Sequence, residues 1–144
     1  MGVLTDFVVT DRQDAQRVCD SDCPCKDFDG LDAKGIDTVK LGALYAILFG
    51  KEFDATFMLD SSLCSGRDEG PWVFAVPTEL VERLARLTAK QLQSVAAMWA
   101  ATEQFSPKYD NWPAEAVRQI LEELVGLCRR AVAERKDVLM WMCL

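Results

Sequence analysis

Cysteine is the residue whose spacing in this chain carries the most chemistry. Three of the six cysteines fall close together, Cys19-x3-Cys23-x-Cys25, in the stretch CDSDCPCKDFDG. Thiolates that near one another can share a zinc ion, and Cys64 is the candidate for a distant fourth ligand. Zinc sites ordinarily combine two Cys-x2–4-Cys pairs, and only one such half is present here. The same sulfurs offer a second chemistry, a redox pair, either Cys23 with Cys25 or Cys19 with Cys64. A Cys-x-Cys disulfide closes a strained ring, and the Cys-x-x-Cys spacing is missing. A third reading leaves them as free thiols in an exposed loop. The nearby Asp20, Asp22 and Asp27 oppose thiolate formation, because like charge raises a thiol pKa. Cys128 and Cys143 lie in apolar patterns and are read as core fillers.

Other chemistries are narrowed by what the composition omits. Histidine is absent. That removes Ser-His-Asp and Cys-His nucleophilic catalysis and the His-based zinc hydrolases. Acid–base work would fall to carboxylates, Lys, Tyr or Cys. Glu79 with Glu82, and Glu122 with Glu123, are carboxylate pairs, but on helix surfaces such pairs are ordinarily solvated, so no catalytic role is assigned. The segment DFDGLDAKGID resembles a calcium loop. Its order, Asp27, Asp29, Gly30, Asp32, lacks the Glu that closes an EF-hand, so calcium is set aside. Neither a Gly-x-Gly-x-x-Gly run nor a Walker-type Gly-Lys-Ser/Thr loop occurs, and no nucleotide cofactor is indicated. The expectation is a protein without a cofactor, zinc at the cysteines being the one alternative.

A second candidate surface is WAATEQFSPKYDNWP, which groups Trp99, Glu103, Phe105, Tyr109, Asp110 and Trp112. Aromatics with a polar rim form binding surfaces, and Trp99, Glu103, Tyr109 and Trp112 are the candidate partner-binding residues. The competing reading is an aromatic-packed corner between helices, since Trp99 falls on the apolar side of its helix. The net charge of −7 favours a basic protein partner. It disfavours nucleic acid, which needs clustered cations to displace counterions. Exposed Trp and Phe rings would also permit a homodimer.

The elements that must position these residues follow from periodicity and capping. VLTDFVV reads as a strand, and Thr10 with Gln13 as a capping box for a short helix to about Cys19. The cysteine segment and DFDGLDAKG read as irregular. Asp37 caps a helix from Thr38 to Phe49 with Leu41, Leu44, Tyr45 and Leu48 on one stripe, and Gly50 suits its C-terminus. EFDATFML reads as an extended edge, DSSLCSGRDEGP as a polar loop and WVFAV as a buried strand. Helices follow from Thr78 and from the box Thr88 to Gln91. Pro113 opens a long helix to about Arg135. The terminal DVLMWMCL reads as a final, central strand. No internal repeat appears.

Together these predict a single α+β domain over 1–144. The expected core is a small mixed or antiparallel sheet, the terminal strands plus 72–76, covered by about five helices. No apolar run approaches the ~18 residues of a membrane helix. The start MGVLTDFVVTDRQ lacks a basic region ahead of its apolar residues, so no membrane segment and a cytoplasmic location are expected.

The layout resembles the YfbM-like family of small bacterial proteins of unknown function. The likeness is carried by MGVLTDFVV, by WVFAVPTELVERLARLTAKQL, by AVRQILEELVGLCRRAVAERKD and by VLMWMCL, together less than half the chain. It implies a shared α+β fold and no established activity. By analogy of class it suggests an immunity or partner-binding protein. Function is therefore expected to be non-enzymatic protein binding, with a cysteine-based metal or redox module at 19–25 as the alternative.

Overall fold

The computed structural model describes residues 2–144. One five-stranded sheet organises the chain, in the order β2-β1-β5-β4-β3. β1 spans Leu4–Thr10, β2 Asp29–Asp32, β3 Ser62–Arg67, β4 Gly70–Ala75 and β5 Asp137–Cys143. Every pairing is antiparallel. The helices are α1 (Ala15–Asp20), α2 (Pro24–Asp27), α3 (Thr38–Phe49), α4 (Thr78–Ala85), α5 (Ala89–Ala100) and α6 (Ala114–Glu134). The expected α+β class is thus observed, with a purely antiparallel sheet and six α-helices among the described residues. No helix among the described residues is long and apolar enough to cross a membrane.

β5 takes the centre of the sheet because Val138, Leu139, Met140, Trp141 and Met142 are buried on alternate faces. An unbroken apolar run suits a strand covered on both sides. One face carries Phe7, Val9, Val138 and Met140 and packs under α3, α4, α5 and α6 in the larger core. The opposite face carries Val8, Val73, Leu139 and Trp141 and meets Ala15, Val18 and Cys19 of α1. Helices therefore cover both faces, and all three clustered cysteines lie on the smaller side.

Helix ends follow their local chemistry. The Asp37 side chain accepts from the Lys40 amide at 2.8 Å, and Gly50 closes α3 at φ 60°. Thr88 and Gln91 form a reciprocal capping box at the start of α5. Pro113 stands just ahead of α6, which buries Val117, Leu121, Leu124 and Cys128.

Four local expectations are corrected. The Thr10 hydroxyl lies in β1 and donates to Asp14 Oδ2 at 2.6 Å instead of capping a helix at Gln13. Residues 52–59 form no strand, because the Asp54 carboxylate accepts from the Thr56 amide and hydroxyl, at 2.8 and 2.7 Å, and turns the chain. DSSLCSGRDEGP is mostly a hairpin: β3 turns through Asp68-Glu69 into β4, with Arg67 paired to Gly70. The segment after Cys23 is ordered as α2 and then β2, an edge strand held by the ladder of β1.

Candidate thiol and carboxylate site

The site begins with a buried acid. Asp6 sits within β1 and is only 6% exposed. In register it stands opposite Trp141 of β5, and Trp141 stands opposite Val73 of β4, which faces Cys64 of β3. One cross-strand row therefore runs Asp6, Trp141, Val73, Cys64 over the face that α1 and α2 cover.

α2 brings two thiols to Asp6. Cys23 is the N-cap of α2 and Pro24 its first residue, a position where the missing amide hydrogen does no harm. The helix is pinned by the Cys25 amide, which donates to Asp6 Oδ2 at 2.9 Å. It presses close to β2 at Gly30, where an added Cβ would fall 2.8 Å from the Cys25 Cα and 3.0 Å from the Phe7 carbonyl oxygen. Ser21 braces the approach: its hydroxyl donates to Asp27 Oδ2 at 2.6 Å and accepts from the Cys23 amide at 3.2 Å. The Cys23 and Cys25 sulfurs stand 3.7 Å apart. One ligand atom each from Asp6, Cys23 and Cys25 all lie within 4.8 Å of one another.

Electrostatics set the state of this cluster. Burial, the Cys23 thiol and the Asp6 carboxylate push the Cys25 thiol up to about 12. Such a group is a poor nucleophile at neutral pH. The same concentration of acidic donors suits a cation, because a bound metal exchanges thiol protons for its own charge.

The four cysteines predicted as one zinc set are split by the sheet. Cys19 belongs to α1, where its thiol donates weakly to the Pro71 carbonyl at 3.9 Å and lines one groove with Cys64. Asp6 and Cys64 are separated by three strand spacings, on the order of 14 Å. One zinc ion cannot span that distance. The structure brings Cys23 to Cys25 and sets Cys19 and Cys64 in one groove, leaving two separate thiol sites. Cys128 is wholly buried, as predicted for a core filler, whereas Cys143 is half-exposed at the end of β5 and its thiol points to the Glu69 carbonyl at 3.8 Å. Among the acidic loop residues, Asp29 is engaged by Arg130 through two hydrogen bonds of 3.0 and 2.9 Å, so it serves as a tie to α6.

The predicted aromatic surface is largely a corner of the core. Trp99 is 0% exposed and donates through Nε1 to the Lys40 carbonyl at 2.9 Å. Its ring stands edge-on to Phe105, and Phe105 in turn meets Trp112. Lys40 is buried beneath them, donating to the Gly35 carbonyl at 2.8 Å and pairing with Asp110. Trp99 is thus unable to touch a partner, and Trp112 is half-buried. Tyr109 and Glu103 remain at the surface, Glu103 paired with Lys108 at 3.2 Å.

Asp6 was the one donor that spacing between cysteines could not reveal. Its signal was a lone acid inside the strand LTDFVVT, where alternation points it at a covered face. By class the chain is a small α+β protein with a thiol and carboxylate cluster on one sheet face. No protein-family model, no curated protein and no solved structure matches it.

Proposed function

We propose that the protein binds a thiophilic divalent metal, zinc by preference, through Asp6, Cys23 and Cys25. The observation that carries this reading is the convergence of two thiols on a buried carboxylate within 4.8 Å. Sulfur with carboxylate oxygen is a donor set that zinc accepts, and three protein ligands leave its fourth position to water or to a partner's donor. The cation would neutralise a buried acid and tie α2 to β1, so the metal would set the shape of this face. Native mass spectrometry of protein refolded with zinc is expected to show one metal per chain. Replacing Cys23 and Cys25 together with Ser is expected to abolish it. Retention of the metal by that double variant would overturn the reading.

Partner binding has separate support on the opposite face. A groove of about 570 Å³ is lined by Ala43, Ile47, Phe53, Met98 and Glu103. Phe53 and Met98 are 47% and 50% exposed, enough apolar surface to anchor a side chain. Beside it, Glu52, Asp54, Asp60 and Glu79 line a second cavity with Tyr45 and Phe57, and Lys51 is the one cation there among the described residues. This charge favours a basic segment with an apolar anchor. A synthetic Leu/Lys amphipathic peptide is expected to bind in fluorescence anisotropy, more weakly at high salt and about tenfold more weakly to Met98→Glu. Equal binding of a Leu/Glu peptide would refute the charge argument.

A further inference from the structure

The thiol pair not used by the metal reading has its own surroundings. Cys64 lies on β3, half-exposed, in a groove of about 370 Å³ lined also by Gln16, Cys19, Asp20, Arg67 and Pro71. The Cys64 thiol donates to Gln16 Oε1 at 3.4 Å. Cys19 lies beneath on α1, 7% exposed and lining the same groove, and Cys64 packs against the buried cluster to which Cys19 belongs. The two cysteines thus share one groove from two elements, with one open to solvent and one sheltered. Arg67 is exposed at the groove and makes no ion pair among the described residues. Its guanidinium attracts carboxylate-bearing molecules.

Cys23 and Cys25 differ in both respects. They occupy the N-cap and second residue of one short helix, so a bond between them would deform α2. A link from Cys19 to Cys64 joins separate elements and avoids that small ring.

We infer that Cys64 and Cys19 form a site for reversible modification by small anionic disulfides, closing an internal disulfide between α1 and β3. In the first step the Cys64 thiolate attacks one sulfur of the small disulfide. A Cys64 mixed disulfide forms, and one small thiolate leaves. In the second, the Cys19 thiolate attacks the Cys64 sulfur, forming the Cys19–Cys64 bond and releasing the second small thiolate. Two electrons pass from the protein to the small disulfide. The two protein thiol protons end on the two released thiols. Exposure decides the order: Cys64 is reached first, and Cys19 resolves. Burial and the neighbouring thiol hold Cys19 up at about 12, so the second step is the slow one.

The test uses glutathione disulfide on the reduced, folded chain, with and without zinc, read by intact mass and peptide mapping. The expected result is the loss of two hydrogens and a Cys19–Cys64 cross-linked peptide, whether or not zinc is present. Cys19→Ser is expected to accumulate one glutathione on Cys64, and Cys64→Ser to leave Cys19 unmodified. Closure of Cys23–Cys25 in preference, or no trapped glutathione in Cys19→Ser, would overturn the inference. Because the pair is separate from Asp6, Cys23 and Cys25, failure here leaves the metal reading standing. A chain that binds no zinc can still close this bond.

Discussion

Zinc added to the reduced, metal-free chain is expected to expel close to two protons for each metal bound. Zinc takes sulfur as thiolate, so both thiols of the Cys23 and Cys25 pair must give up hydrogen. Cys25 is raised from an ordinary value of 9.0 to about 12, so its proton is fully in place at neutral pH. Apparent affinity should therefore climb about a hundredfold per pH unit between pH 6 and 8, the slope of a two-proton exchange. Calorimetry in two buffers of different ionisation enthalpy measures the proton count directly. Cys25→Ser should remove one proton from the count and lower affinity by at least about a hundredfold. Asp6→Asn should weaken binding about ten- to a hundredfold while leaving the count near two, since the carboxylate supplies charge and oxygen but no thiol proton. Binding with no proton release would show that the sulfurs are not the ligands.

Without metal, the linkage has a definite sign. A folded-state pKa raised above the unfolded one contributes stability that is complete below the unfolded value and is lost as pH rises toward the folded value. Cys19, Cys25 and Cys128 are all raised from 9.0 to about 12. The metal-free protein thus loses stability as pH climbs from about 9 to about 12. Zinc reverses the sense for Cys25, because coordination holds it as thiolate. At a free-metal concentration of a hundred times Kd, binding would add about 2.7 kcal/mol to the folded state.

What could be read in advance divides along physical lines. The bounds of α3 and the starts of α5 and α6 were legible because Asp37, Gly50, Thr88 and Pro113 act through groups a few residues away, whereas α5 stops at Ala100, short of the Ser106-Pro107 pair that would break a helix. β5 was legible as a central strand because its apolar run is unbroken. β2 and β3 were not, since DGLD and SLCSGR are polar, edge-lying and mostly solvent-facing. Their neighbours' ladders hold them, and that information lies far along the chain. The same distinction applies to the sulfurs. Cys23 and Cys25 meet through spacing. Cys19 and Cys64 share a groove only because α1 packs on the β3–β4 hairpin, and Asp6 joins its thiols only because α2 folds back onto β1.

Trp99→Ala is expected to cost about 4 kcal/mol, within the range for removing a large buried ring. The ring is fully buried at the junction of α3, α5 and the 103–112 segment. It spans them through its hydrogen bond to the Lys40 carbonyl and its edge-on contact with Phe105, centroids 5.2 Å apart. Truncation leaves a cavity beside the Lys40 ammonium, which lies 5.7 Å from the Phe105 centroid. Water entering there would weaken the pairing of Lys40 with Asp110. Small domains hold only about 5–15 kcal/mol in total, so the loss is a large share. Trp99→Phe keeps most of the volume and removes the donor; it is expected to cost about 1–2 kcal/mol. Urea unfolding measures both. A cost below about 1 kcal/mol for the Ala variant would mean that the ring is not the support described. The sheet stands between Trp99 and the thiol face, so Trp99→Phe should leave zinc affinity unchanged while shifting the urea midpoint. That separation is what a two-faced sheet with independent cores requires: damage to the helical side is felt as stability, and damage to Asp6, Cys23 or Cys25 as metal binding.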